Sequence, residues 1–338
     1  MGKILVTGGL GFIGSHTVVE LQIKGYEVII IDDLSNSTLD ILDRITSITN
    51  NRPEFEEIDL KDKSKVKSFF QKYSDVIGVI HFAASKAVGE SLEKPLMYYE
   101  NNISSLVYLL KQLKTSNFIF SSSCTVYGQA DSLPITEDAP VKKAESPYGN
   151  TKQIGEEILQ DVCSNNESFN AISLRYFNPI GAHESAKIGE LPIGVPQNLV
   201  PFITQTAIGI REQLSVFGDD YPTNDGTCIR DYIHVVDLAK AHVIALERLL
   251  DQKGQSNYET FNLGTGKGSS VLEVIESFNR VSGKKLNYKI VSRRDGDIVA
   301  AYADTKKANK ILGWQAESSL DEAMMSAWKW EQQIRNES

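Results

Sequence analysis

Cysteine is scarce in this 338-residue chain: Cys124, Cys163 and Cys228 are the only three, and none forms a CxxC. A disulfide framework is not expected, and a reducing compartment fits. Proline is sparse as well, at ten residues, and no apolar run reaches 18 residues. Those two absences argue against a proline-rich disordered chain and against a transmembrane helix. Positive charge is in deficit, 35 Lys and Arg against 44 Asp and Glu, for a net −9. A nucleic-acid or anionic-membrane surface is therefore not expected. Any anionic ligand must be held by local Lys, Arg and backbone N–H groups. The five histidines, His16, His81, His183, His234 and His242, form no HxxxH or Cys/His cluster, so no metal is expected. What remains is a globular composition, 41% apolar and 23% charged, long enough for two domains. The first residues lead straight into an apolar strand without a signal-peptide pattern, which predicts a cytoplasmic protein.

Short β-rich apolar runs at 4–7, 27–31, 76–82, 118–121 and 171–175 read as buried parallel strands. Helical spacing fills 14–24, 63–72, 102–113 and 148–163 between them. Such alternation predicts right-handed βαβ units in a doubly wound, Rossmann-type α/β sheet. From about 180 to 232 the chain is rich in Gly, Pro, Asn and Asp, which predicts loops and short elements. A helix at 234–249, a returning strand at 258–262 and helices at 269–281 and 320–335 follow. The expected architecture is a nucleotide domain with a smaller, partly interleaved C-terminal domain. The Gly-rich 264–269 segment fails the P-loop pattern, because Gly268 stands where Ser or Thr is required.

Thr7-Gly8-Gly9-Leu10-Gly11-Phe12-Ile13-Gly14 joins the first predicted strand to the first predicted helix. Glycines at that spacing permit a tight turn, close backbone approach to a pyrophosphate, and a helix N-terminus aimed at its charge. An ordinary strand–helix turn would need no more than this. Asp32 and Asp33, however, end the next strand about 20 residues on, where a carboxylate binds the ribose hydroxyls of NAD. No Arg follows to neutralise a 2′-phosphate, which favours NAD over NADP. Asp59, after a third apolar segment, could reach the adenine.

Tyr148 and Lys152 are four residues apart at the start of a predicted helix and share a face. A phenol has an ordinary pKa of about 10, and a nearby ammonium is expected to bring it toward the range of proton transfer. Ser121-Ser122-Ser123 ends the fourth predicted strand, on the side of the sheet where the glycine turn lies. Singly, each of these features is common on protein surfaces. Together and in this order they are specific.

The constellation resembles the extended short-chain dehydrogenase/reductase family, and within it the UDP-glucose (UDP-galactose) 4-epimerases, over nearly the whole chain. The matching segments are Gly14-Ser15-His16-Thr17, His81-Phe82-Ala83-Ala84-Ser85-Lys86-Ala87-Val88-Gly89-Glu90-Ser91, 121–128, 174–182, 218–235 and Arg293-Arg294-Asp295-Gly296-Asp297. The resemblance implies Tyr148 as catalytic acid and base, Lys152 as its electrostatic partner and a ribose ligand, and Ser123 as hydroxyl partner. It implies NAD contacts at Gly8, Gly11, Phe12, Ile13, Gly14, Asp32, Asp33, Asn36, Ser37, Asp59 and Leu60. Further NAD contacts fall at Phe82, Ala83, Ala84, Lys86, Asn101, Ser121, Tyr148, Lys152, Tyr176 and Phe177. It implies UDP-sugar contacts at Lys86, Ser123, Tyr148, Asn178, Asn198, Leu199, Ser215, Val216, Phe217, Arg230, Arg294, Asp297 and Ala301. Residues 1–178, with 233–262 returning, would form the NAD-binding domain. Residues 179–232 and 263–338 would bind the UDP-sugar, and relatives commonly pair as homodimers through helices 102–113 and 153–163.

Two departures from the family pattern stand out, Cys124 where Ala or Ser is usual and Ala84 where Gly is common. The implied reaction is C4 epimerisation of UDP-glucose and UDP-galactose through a 4-ketosugar. Through the small Ala301, the resemblance further implies use of UDP-GlcNAc and UDP-GalNAc. A 4,6-dehydratase needs adjacent acidic residues after its active-site Thr, whereas Thr125 is followed by Val126-Tyr127. A non-catalytic nucleotide sensor is the reading from another class; such proteins usually lack the Tyr/Lys pair.

Overall fold

The computed structural model describes residues 2–294 and 297–336. The chain divides into two units, one of residues 1–129, 138–176 and 239–261, the other of 130–137, 177–238 and 262–338.

The first unit alternates strand and helix, as the apolar runs predict. In chain order these are β1 (Lys3–Thr7), α1 (Phe12–Ile23), β2 (Val28–Asp32), α2 (Ile41–Thr49), β3 (Glu54–Glu57), α3 (Lys63–Lys72) and β4 (Val76–His81). Then come α4 (Val88–Glu93), α5 (Pro95–Tyr99), a π-helical turn Glu100–Ser104, α6 (Ser105–Leu110), β5 (Asn117–Ser121), α7 (Pro147–Asn165) and β6 (Asn170–Tyr176). The sheet order is β3-β2-β1-β4-β5-β6, with Tyr258–Leu263 beyond β6. Pairing is parallel from β3 through β6. This is a doubly wound Rossmann-type sheet, and its order reverses between β1 and β4, the crevice where such sheets bind ligands. Strands β1, β2 and β4 are buried along nearly their whole length, which is why they read as unbroken apolar runs.

Two elements of this unit differ from the sequence expectation. The third segment is a polar edge strand, Glu-Phe-Glu-Glu, with Asp59 two residues beyond it. The helix expected from 102 starts with a π-helical turn, inside which the Asn102 carboxamide bonds Ser85 and Thr151 rather than solvent. Such turns cluster at functional sites. That helix ends at Leu110, and the residues just after it form a turn.

The second unit is built from small sheets, helices Leu199–Ala207, Val271–Ser282 and Leu320–Asn336, a π-helical turn Ala308–Leu312 and the first residues of helix Val235–Leu250. Ser269–Ser270, Ile229–Arg230 and Ala300–Ala301 form one sheet; Leu214–Phe217 pairs with Tyr288–Val291, and Asn178–Ile180 with Tyr232–His234. The last pairing holds Tyr232–His234 in this unit, which continues to Leu238, six residues past the expected boundary. Segment 130–137 also belongs here, because Ile135 N–H donates to the Tyr302 carbonyl and Asp304 N–H to that of Ile135. Within the supposed loop region stands a nine-residue helix, Leu199–Ala207, burying Val200, Ile203 and Thr204. Helix Val271–Ser282 starts two residues later than expected because Ser270 and Glu273 form a reciprocal capping box. Its Phe278 meets Trp328 of helix Leu320–Asn336 edge to face, with ring centroids 5.5 Å apart. No helix among the described residues is long and apolar enough to cross a membrane.

Candidate active site

In the first unit, β1 ends in a turn that only glycine can make. Gly8 has φ of +68°, and a Cβ there would lie 2.8 Å from Ala83 N. A Cβ on Gly14 would stand 2.2 Å from Gly8 O, so helix and turn touch backbone to backbone. Gly11 caps α1 without a side-chain bond, and the helix has no acidic residue in its first turn. A Cβ on Gly11 would meet nothing closer than Gly8 O at 3.3 Å. The N–H groups of Phe12 and Ile13 and the helix dipole therefore face a position suited to a pyrophosphate. The turn fits NAD.

Asp32 ends β2 and is buried. Its Oδ2 accepts from Leu10 N–H, and its Oδ1 from Leu34 N–H and Ser37 Oγ. Burial raises its pKa, and those three donors oppose the rise. One carboxylate thus ties the glycine turn to the loop after β2. Asp33 accepts from Ser35, and Asp59 from Lys61 N–H. Ala84 has no positive φ, so its side chain is tolerated where a glycine is common. Phe82 and Tyr176 flank the buried ring of His242, at 4.7 and 6.2 Å between centroids. Asn101 donates to Ser85 Oγ at 3.1 Å.

Helix α7 begins with Ser146, whose Oγ accepts from Gly149 N–H, and Pro147 at its first position. This start buries Tyr148 and Lys152 on one face. Lys152 Nζ donates to the Ser121 carbonyl at 2.7 Å and lies 4.9 Å from the Phe120 ring centroid and 5.9 Å from that of Tyr148. Tyr148 is hydrogen-bonded to Ser123, and Ser121 Oγ donates to the Tyr176 hydroxyl. The structure thus brings Ser121, Ser123, Tyr148, Lys152 and Tyr176 together.

The electrostatics correct one expectation. Burial, with Tyr176 close by, holds the Tyr148 phenol well above its ordinary pKa, against the lowering by the Ser123 bond. The Lys152 ammonium is directed at a carbonyl, and burial lowers its pKa to about 8.

Two other residues of this unit escaped the sequence reading. Asn102 bonds the Ser85 backbone and Thr151 Oγ1, fixing the loop after β4 to α7. Glu156 extends the Tyr148/Lys152 face by one turn, a signal present in the i,i+4 spacing.

In the second unit, Arg230 Nη2 donates to Asp297 Oδ1 at 3.1 Å, and its Nη1 to the carbonyls of Ile229 and Ile298. Ala301 is buried and registers opposite Arg230. The Arg294 guanidinium lies 4.2 Å from the Phe217 ring centroid, at the end of the strand holding Ser215 and Val216. Asn198 precedes helix Leu199–Ala207 and donates to Glu190 at 2.5 Å. Phe177 is buried, and Asn178 N–H donates to the Asp231 carbonyl. Asp295 and Gly296 of the arginine motif lie outside the described residues. Cys124, Cys163 and Cys228 are in no disulfide.

A family profile described as GDP-mannose 4,6 dehydratase matches residues 5–326. The chain is 50% identical over 331 residues to a UDP-glucose 4-epimerase of Bacillus subtilis, covering 97% of this chain and 96% of that protein. Among solved structures it resembles a UDP-glucose 4-epimerase of Stenotrophomonas maltophila with bound NAD and formylated UDP-arabinopyranose. That match has a TM-score of 0.96 and 45% identity, covering 100% of both chains. A UDP-glucose 4-epimerase of Bifidobacterium longum, in complex with NAD+ and UDP, matches with a TM-score of 0.94 and 46% identity over 99% of each chain.

Proposed function

The chain belongs to the UDP-glucose 4-epimerases of the extended short-chain dehydrogenase/reductase family, and from that premise we propose how its residues divide the reaction. It is an NAD-dependent isomerase that inverts UDP-hexoses at C4 through a 4-ketosugar. When bound, NAD supplies the redox capacity to remove and restore the hydrogen at C4′, leaving no net oxidation. Tyr148 takes the proton of the 4′-hydroxyl and returns it to the ketone oxygen. Ser123 hydrogen-bonds that oxygen, and Lys152 stabilises the charge that develops on the phenol. The observation that carries this reading is the gathering of Ser123, Tyr148 and Lys152 beside the glycine-turn end of the sheet.

The first unit is assigned to NAD, with Asp32 and Asp33 reading an unphosphorylated ribose. The second is assigned to the UDP moiety, through Arg230, Arg294, Asp297 and the Leu214–Phe217 strand. Arginine suits a diphosphate and a carboxylate suits ribose hydroxyls. A dehydratase reading finds no support, since buried Val126 and Tyr127 occupy the positions its acid and base would need. Incubation with UDP-galactose, followed by chromatography, is expected to yield UDP-glucose, and extraction of the protein to yield NAD. A 4-keto-6-deoxy product, or recovery of NADP alone, would sink the assignment.

The partner reading is a homodimer. Ile103 and Val107 are half-exposed on 100–110, Ile154 and Ile158 are half-exposed on α7, and Leu96 is 81% exposed on α5. Light scattering is expected to give twice the chain mass; a monomer at every concentration would refute it. Three cysteines outside any disulfide are consistent with a reducing cytoplasm.

A further inference from the structure

One turn beyond Lys152 on α7, Glu156 is buried with both oxygens engaged. Ser122 Oγ donates to Oε1 at 2.6 Å. Arg175 Nε donates to both oxygens, at 2.9 and 3.2 Å, and Nη2 donates to Oε2 at 2.6 Å. The remaining nitrogen of Arg175 donates to the Tyr127 hydroxyl at 3.0 Å. A single carboxylate thus joins α7, the residue following β5, the strand β6 and the 3-10 turn Cys124–Tyr127. Bidentate pairing with a guanidinium fixes angle as well as distance.

Stability alone is a poor reason for such a pair, because desolvation cancels much of its Coulombic gain. Its placement suggests another. Ser122 stands between Ser121, whose carbonyl holds the Lys152 ammonium, and Ser123, which hydrogen-bonds Tyr148. We propose that Glu156 is a positioning residue of the epimerase, locking the 121–123 segment against the Tyr148/Lys152 face of α7 and serving as counter-charge to the Lys152 ammonium. The proposal rests on the reading of Tyr148 and Lys152 as the catalytic pair.

The groups around Lys152 come from every packed element. From α7 come Tyr148 and Glu156; from β5, the Phe120 ring and the Ser121 carbonyl. From β6, Arg175 pairs with Glu156 and the Tyr176 hydroxyl meets Ser121, and from β4 comes His81, kept neutral by burial, which lowers its pKa to about 3. Tyr258, bonded to Ser173, faces the Glu156–Arg175 pair from the last strand. Glu156 is the group whose charge raises the Lys152 pKa against the burial that lowers it.

Glu156→Gln keeps the shape and an acceptor for Ser122 but removes the charge. It is expected to lower kcat for UDP-galactose about ten- to a hundredfold and leave KM within about threefold. The alkaline limb of the kcat profile should move about one pH unit toward acid. The Lys152 titration, read by NMR of carbon-labelled lysine in the NAD-bound enzyme, should shift the same way. That measurement needs no turnover, so it separates failure of this proposal from failure of the epimerase reading, which wild-type turnover tests. The double variant Glu156→Leu/Arg175→Met replaces the pair with apolar side chains of similar size. It is expected to melt close to wild type yet stay as slow as Glu156→Gln, and it gives the answer if the single variant does not fold. Wild-type kcat with an unshifted titration in Glu156→Gln would overturn the proposal. So would a double variant that regains kcat along with its melting temperature.

Discussion

Tyr148→Phe is expected to cut kcat for UDP-galactose by roughly a hundred- to ten-thousandfold, the usual contribution of a positioned acid–base group. Only one hydroxyl is removed, from a side chain whose ring stays packed in the buried face of α7. Melting temperature and the Kd for UDP should therefore stay near wild type, because the residues assigned to UDP lie in the second unit. The wild-type pH profile carries a related signature. Lys152 has its pKa lowered to about 8, so its ammonium is present below that pH and lost above it. A phenol already raised by burial then loses its nearby cation, and the rate should decline on the alkaline side of pH 8. Stopped assays of the variant and a kcat profile of the wild type measure both effects. Wild-type turnover in Tyr148→Phe would refute the assigned role of the phenol.

Much of this site was legible because its physics is local. The glycine turn, Asp32 and the Tyr148/Lys152 spacing each depend on a few neighbouring residues and one regular element. Fully buried β1, β2 and β4 were legible for a similar reason, since burial on both faces leaves little room for polar residues. The edge strand Glu54–Glu57 escaped because an exposed edge tolerates charge, and no period-2 apolar signal survives. Proton affinities escaped for a different reason. What raises the Tyr148 pKa is burial together with Tyr176, Cys124 and Tyr98, residues far from it in sequence. The Arg230–Asp297 pair likewise spans 67 residues, and only the family resemblance named its members beforehand. Periodicity can place a side chain on a helix face; it cannot say how much solvent that face retains.

Substrate breadth is expected to turn on Ala301. The Ala300–Ala301 strand runs parallel to Ile229–Arg230, with Ala301 directly across from Arg230, and Asp231 N–H donates to the Ala301 carbonyl at 3.0 Å. Cross-strand partners present their side chains on the same face, so a residue at 301 projects on the side of the guanidinium that holds Asp297. A methyl group there takes up far less volume than a phenol would. A 2-acetamido group adds volume that must be accommodated while the ketosugar turns over. The wild type is therefore expected to interconvert UDP-GlcNAc and UDP-GalNAc as well as UDP-glucose and UDP-galactose. Ala301→Tyr should lower kcat/KM for UDP-GlcNAc by about ten- to two-hundredfold, the range over which a pocket discriminates by size, and spare UDP-galactose to within about threefold. Overpacking a buried position also costs about 1–3 kcal/mol of stability, so both substrate pairs are assayed well below the variant's melting temperature. A wild type that ignores UDP-GlcNAc refutes the idea, as does an Ala301→Tyr variant that uses it undiminished. Equal loss of both substrate pairs would mean that Ala301 merely packs and that another side chain closes the sugar pocket.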